Sequence, residues 1–189
     1  MKKIILFVVI SFAFTTSFAQ KKKIVKTNAS LANVDNLVAE VKAGNFQLII
    51  DGKEAIIVKH IDSKFNPSDV KLTGFMATGT KLYILSWTEK TQNKTDLKLE
   101  DITVINSNIY EIKTKKLVFT NSQLTNNISE KVFLDGLKQA SENQQKIRKE
   151  GFEFVLNPDG SVVQKNKKQE NKLVFDSTKL EYVPTTKKK

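Results

Sequence analysis

The sequence has no cysteine, one histidine, one arginine and seven scattered glycines among its 189 residues. Without cysteine there is no thiol nucleophile, no thiolate metal site and no redox pair. The single histidine, His60, excludes two-histidine zinc sites and leaves one base for any serine, histidine, acid arrangement. No Gly-x-Ser-x-Gly marks a strained nucleophile. Because the glycines do not cluster, no loop is built to cradle a phosphate. Thirty of the 31 basic residues are lysines, Arg148 being the exception. Lysine is a solvated point charge rather than a planar fork for base edges, so sequence-specific nucleic-acid binding is not expected.

What is present begins with an address. Lys2 and Lys3, an apolar run from Ile4 to Phe14 and Ser17-Phe18-Ala19 have the three-part form of a secretory signal, with cleavage expected after Ala19. That run is too short to cross a bilayer core, which takes about 20 residues in a helix, and no later stretch reaches such a length. With no cysteine to carry a lipid, the expected product is soluble, periplasmic or extracellular, and not a lipoprotein. The expected organisation is a signal peptide at 1–19, a flexible polar lead at 20–29, one globular domain over 30–184 and a Lys-rich tail at 185–189. Lysines 2, 3, 21–23 and 187–189 account for eight of the net +11, which leaves +3 for the folded body.

Within the domain, Leu31, Val34, Leu37, Val38 and Val41 recur at helical spacing between Ser30 and Gly44, which predicts a short helix. A longer helix is predicted over 129–150. There Val132, Phe133, Leu137, Ala140, Gln144 and Ile147 form one stripe, Ser129 caps the start, and Lys146, Arg148 and Lys149 suit the negative end before Gly151. Elsewhere, alternation predicts strands. Residues 46–50 and 54–61 flank Asp51-Gly52, and a two-residue turn there puts Phe46, Leu48, Ile50, Ala55, Ile57 and Ile61 on one face. Residues 70–77 and 82–88 form a second hairpin, with a turn at Gly79 and Thr80 setting Met76 opposite Tyr83 and Leu72 opposite Trp87. Both of its faces are apolar, which suits the covered centre of a sheet or a barrel wall with a helix packed outside. A further strand is predicted over 97–105, where the parity change from Leu97 and Leu99 to Ile102 and Val104 predicts a bulge at Glu100-Asp101. Short strands at 109–112, 117–119, 152–156, 161–164, 173–175 and 180–183 complete the pattern. The expected fold is mainly β of the α+β type: an antiparallel sheet or barrel of about nine short strands, a short N-terminal helix and one long helix in the C-terminal half.

Tyr83, Leu85 and Trp87 share one face of a strand, and aromatics so placed can line an apolar cavity or a sugar platform. They are the candidate ligand-binding residues. No catalytic residue, metal ligand or cofactor is expected. A carboxylate-based hydrolase would need two acids in one cleft, for instance Glu54 and Asp62 beside His60. Asn157-Pro158-Asp159-Gly160 lacks the acidic repeat of a calcium loop and reads as a turn.

The function expected from these residues is an exported, non-catalytic binding or scaffolding protein. Its sharpest form is a carrier of a small apolar molecule or lipid; a carboxylate hydrolase or a surface module facing glycan or protein is the alternative. The order of many short strands, a late helix and a final strand is similar in architecture to lipocalin-type carriers. The Gly-x-Trp pattern of that family's first strand is absent, so the likeness implies no membership.

Overall fold

The computed structural model describes residues 30–62 and 64–185, and over them the chain is all β. The first sheet holds β1 (Ser30–Val34), β2 (Leu37–Lys42), β3 (Asn45–Ile50) and β4 (Glu54–His60). The central sheet holds β5 (Ser68–Ala77), β6 (Thr80–Lys94), β7 (Lys98–Glu111), β8 (Lys116–Phe133) and β9 (Ser141–Gly151). The third holds β10 (Glu153–Leu156), β11 (Val162–Lys165), β12 (Glu170–Asp176) and β13 (Glu181–Pro184). Within each sheet, strands that follow one another in the chain pair antiparallel.

Alternation along β6 decides how the sheets stack. Tyr83, Leu85 and Trp87 point to one face and pack on Leu37, Ala39, Phe46, Leu48 and Ile50 of the first sheet. Leu82 points to the other face, where it packs with Ile109, Val118, Val162 and Phe175. The central sheet is thus covered on both sides over this stretch, as two apolar faces require. Two glycines fit the third sheet against it. A Cβ on Gly160 (φ 78°) would lie 2.6 Å from both the Ala77 Cβ and the Met76 carbonyl oxygen, so the turn before β11 rests directly on the end of β5. Gly151 (φ 79°) lets the chain leave β9 beside the Ser122 carbonyl, which a side chain would strike.

The central strands outrun their covers. From Glu89 on β6, Asn106 on β7 and Ser122 on β8 outward, with β9 alongside, neither core includes any residue of the central sheet. This arm extends roughly 40 Å along β8, at about 3.3 Å per residue.

Both predicted helices are absent, because no helix occurs among the described residues. Residues 30–42 form β1 and β2, joined at Asp35-Asn36, with Asp35 at φ 50°. The helical spacing there also fits two short strands once a turn divides it: Leu37 and Ala39 enter the core while Val38 and Glu40 stay half-buried on the other face. Residues 129–150 are the end of β8, a turn and β9. Good helix formers are overridden by eleven consecutive ladder pairs, from Gln123 with Gly151 to Phe133 with Ser141. Asp135 folds the turn by accepting the Gln139 N–H on its carboxylate at 2.9 Å.

Among the described residues, thirteen strands therefore replace about nine. The predicted segments 97–105 and 109–112 are one strand, β7, and its ladder is regular at Glu100-Asp101, where a bulge was predicted. The irregularity lies between Ile109 and Tyr110 instead. The parity change arises because both faces carry apolar residues, Leu99 and Ile105 on one and Ile102 and Val104 on the other. With no late helix, and with three sheets, the architectural likeness to lipocalin-type carriers does not hold. No helix long and apolar enough to cross a membrane occurs among the described residues. The expected signal at 1–19, the lead at 20–29 and the lysines at 187–189 lie outside the described residues.

Candidate functional site

The first sheet ends at the rim formed by the close of β4 and the residues after it, and the central sheet continues beyond. On β6, Trp87 is the last residue under the cover, and Glu89 is the next on the same face. The Glu89 carboxylate accepts four hydrogen bonds there. Lys59 Nζ reaches its two oxygens at 2.9 and 2.7 Å, the Trp87 indole N–H donates at 2.9 Å and the Asn106 amide at 3.2 Å. This carboxylate ties the rim of the first sheet to the floor of the central one.

Behind the rim stands an aromatic group. Phe46 meets Trp87 edge-on, with ring centroids 5.2 Å apart, and lies 5.5 Å from Phe65. Lys59 Nζ sits 5.1 Å above the Phe65 ring. Asp62 shapes the loop that presents Phe65, its carboxylate accepting the backbone N–H groups of Lys64 at 2.8 Å and Phe65 at 3.1 Å. The result is a cleft of about 540 Å³ lined by Lys59, His60, Ile61, Asp62, Lys64, Phe65, Glu89 and Thr91.

The cleft opens onto the arm. Cross-strand rows run Glu89, Val104, Leu124, Glu150, and then Thr91, Ile102, Asn126, Arg148. Ile102, Val104 and Leu124 are half-buried and form an apolar floor, with Ile128 one row further out. Asn126 lies within it, buried, donating to the Glu100 carboxylate at 3.1 Å while its own side-chain oxygen has no partner among the described residues. The Lys98 ammonium and this amide hold the Glu100 carboxyl below the usual carboxylate range.

The candidate residues Tyr83, Leu85 and Trp87 all lie in the core beneath the first sheet, 7%, 0% and 5% exposed. Trp87 touches the aromatic group behind the cleft; Tyr83 lies at the far end of that core and donates its hydroxyl to Asp35 at 2.9 Å. Burial, reinforced by that hydrogen bond, pushes the Tyr83 phenol above its ordinary value. Glu54 and Asp62 do not converge, since they bracket β4, and Glu54 pairs with Lys115 at 3.0 Å. His60 sits within 2.7 Å of the Asn45 amide oxygen through Nδ1. No group of three or more metal-ligating acids or histidines occurs among the described residues.

Sequence reasoning missed Lys59, Phe65 and Glu89. Strand alternation could have found Glu89, two residues from Trp87, but nothing in the sequence joins Lys59 to it across 30 residues. Chemically the cleft offers two ammoniums, an imidazole and an aromatic ring. Among the described residues lining the cleft, Asp62 and Glu89 are the carboxylates, and neither is free of a donor. Comparisons with protein-family models, with curated proteins and with solved structures found no match.

Proposed function

We propose that the chain is an exported, non-catalytic binding or scaffolding module whose working surface is the step formed by the cleft and the floor of the arm. The observation that supports this is the uncovered apolar floor of Ile102, Val104 and Leu124, continuous with a cleft backed by Phe46, Phe65 and Trp87. Exposed apolar surface rimmed by polar groups is characteristic of interaction sites. Ile102→Glu combined with Leu124→Glu changes the floor and leaves both cores intact. Residues 20–189 should retain a binding partner from the cell-envelope fraction that this double variant and Phe65→Ala lose. Equal retention by all three proteins would sink the reading.

A carrier of a small apolar molecule is the second reading, favoured by the aromatic group at the cleft. It requires the first sheet to shift, because Tyr83, Leu85 and Trp87 are packed beneath it. Native mass spectrometry with lipid extraction separates the two readings: a co-purifying apolar molecule supports the carrier, and a clean apo mass supports the step. The mass of the full chain recovered from the exported fraction also tests cleavage after Ala19.

A further inference from the structure

The two edges of the central sheet differ. β5 has β1 packed along it, whereas β9 has β8 on one side and no strand on the other among the described residues. β9 is eleven residues long, regular in register, free of proline and exposed at every position but Gln144. Such an edge leaves a row of backbone donors and acceptors open, and proteins usually blunt it with a bulge, a proline or repelling charge. β9 has no bulge and no proline, and its charges are of both signs. Their positions select a partner.

Glu142 lies near one end of β9 and Arg148 near the other. When the strand runs antiparallel to its own copy with Gln145 on the two-fold axis, Glu142 faces Arg148 of the second copy, and Gln144 faces Lys146, each twice. Moving the axis to Lys146 would set Glu142 against Glu150 and is disfavoured. We propose that β9 pairs in this register with β9 of a second copy of this chain, joining two five-stranded central sheets into one. At present Arg148 contacts Glu150 and Lys146 contacts Glu130, both exposed pairs that can exchange partners at little cost.

The register has a functional consequence. Even-numbered residues of β9 share the face that carries Ile102, Val104 and Leu124, and the pairing matches even positions with even ones. Both floors and both clefts therefore face the same way, and the dimer offers two steps side by side for a multivalent partner. The dimer does not depend on what the step binds.

Sedimentation equilibrium of residues 20–189 is expected to show self-association. Arg148→Glu should weaken it about tenfold, and adding Glu142→Arg should restore it, because the swapped charges face each other again. The cysteine-free chain permits a second test. Gln145→Cys should cross-link to its twin under mild oxidant, while Asn143→Cys, set opposite Ile147 of the second copy, should not. Urea midpoints of the variants check that each is folded. A monomer at about 100 µM, a charge swap that fails to restore association, or equal cross-linking at 143 and 145 would each overturn the proposal.

Discussion

The central sheet is one continuous ladder in two environments. Near its base, Leu82 and Leu85 point to opposite faces of β6 and are both fully buried. In the arm, Ile105 on β7 is 45% exposed and Ile147 on β9 is 70% exposed. The polar contacts differ in the same way. At the base they join layers: the Thr78 hydroxyl donates to the Phe175 carbonyl, and Lys81 and Tyr83 both donate to Asp35 across the first core. Beyond the Lys59–Glu89 contact at its root, those in the arm stay within the sheet, as with Gln92 and Asp101, Asn126 and Glu100, and Gln145 and Ser129. Strand pairing is thus enough to continue a sheet, but cross-layer packing is what anchors it. The arm belongs to the part of the molecule that opens locally at low cost.

The contrast can be broken most sharply at its covered end. Phe46→Ala removes a fully buried ring that contacts both Trp87 and Phe65, and should cost about 3–5 kcal/mol in urea unfolding. A loss below about 1 kcal/mol would mean that the first sheet is a loose cover. Gly160→Val should follow at about 1–3 kcal/mol, since the added atoms would meet Ala77 and the backbone at Met76. Equal stability of that variant would detach the third sheet from the base.

A smaller effect is expected from Glu111, which caps the turn after β7. Burial pushes its carboxyl up, but the Thr114 hydroxyl and the backbone N–H groups of Thr114 and Lys113 outweigh this, leaving it below the ordinary 4.5. A carboxyl lowered by folding contributes stability that is present above pH 4.5 and is lost as pH falls through its folded value. Glu111→Gln should therefore be less stable than the native chain at neutral pH, with the gap closing in acid; urea midpoints at neutral pH and about pH 3 read this out. A gap that stays constant with pH would show that the capping charge is irrelevant. The smallest effect belongs to the arm: Ile147→Ala should change stability by less than about 0.5 kcal/mol. A larger loss in dilute solution would place a packed neighbour against β9.

Much of the base was legible from alternation, and two hairpins show why legibility depends on the parity of an error. In the second hairpin the turn is Thr78-Gly79 rather than Gly79-Thr80, so Gly74 faces Tyr83 and Leu72 faces Leu85. That two-residue slip leaves every side chain on its expected face. In the first hairpin Lys53 stands outside the ladder and Ile50 pairs with Glu54. The one-residue slip reverses β4: Ile56 and Val58 pack against the core, and Ile57, expected inside, is 51% exposed. The face bearing Trp87 was readable for the same reason. The cleft was not, because Lys59, Phe65 and Glu89 come from a strand end, a loop and another sheet, and no local period links them.

Residues 80–88 and 107–119 carry apolar side chains at both parities, as a strand covered on two sides requires. The apolar effect acts residue by residue, so such a pattern survives in sequence. The sequence is silent on how far the covering sheets reach, because cover depends on where the first and third sheets end relative to the central strands. It misdirects at β9, whose Glu, Gln, Lys and Arg residues favour a helix in isolation. There, only the long edge offered by β8 turns eleven mostly polar residues into a strand, since backbone pairing with an existing ladder outweighs an intrinsic preference of a few tenths of a kcal/mol (~0.5) per residue.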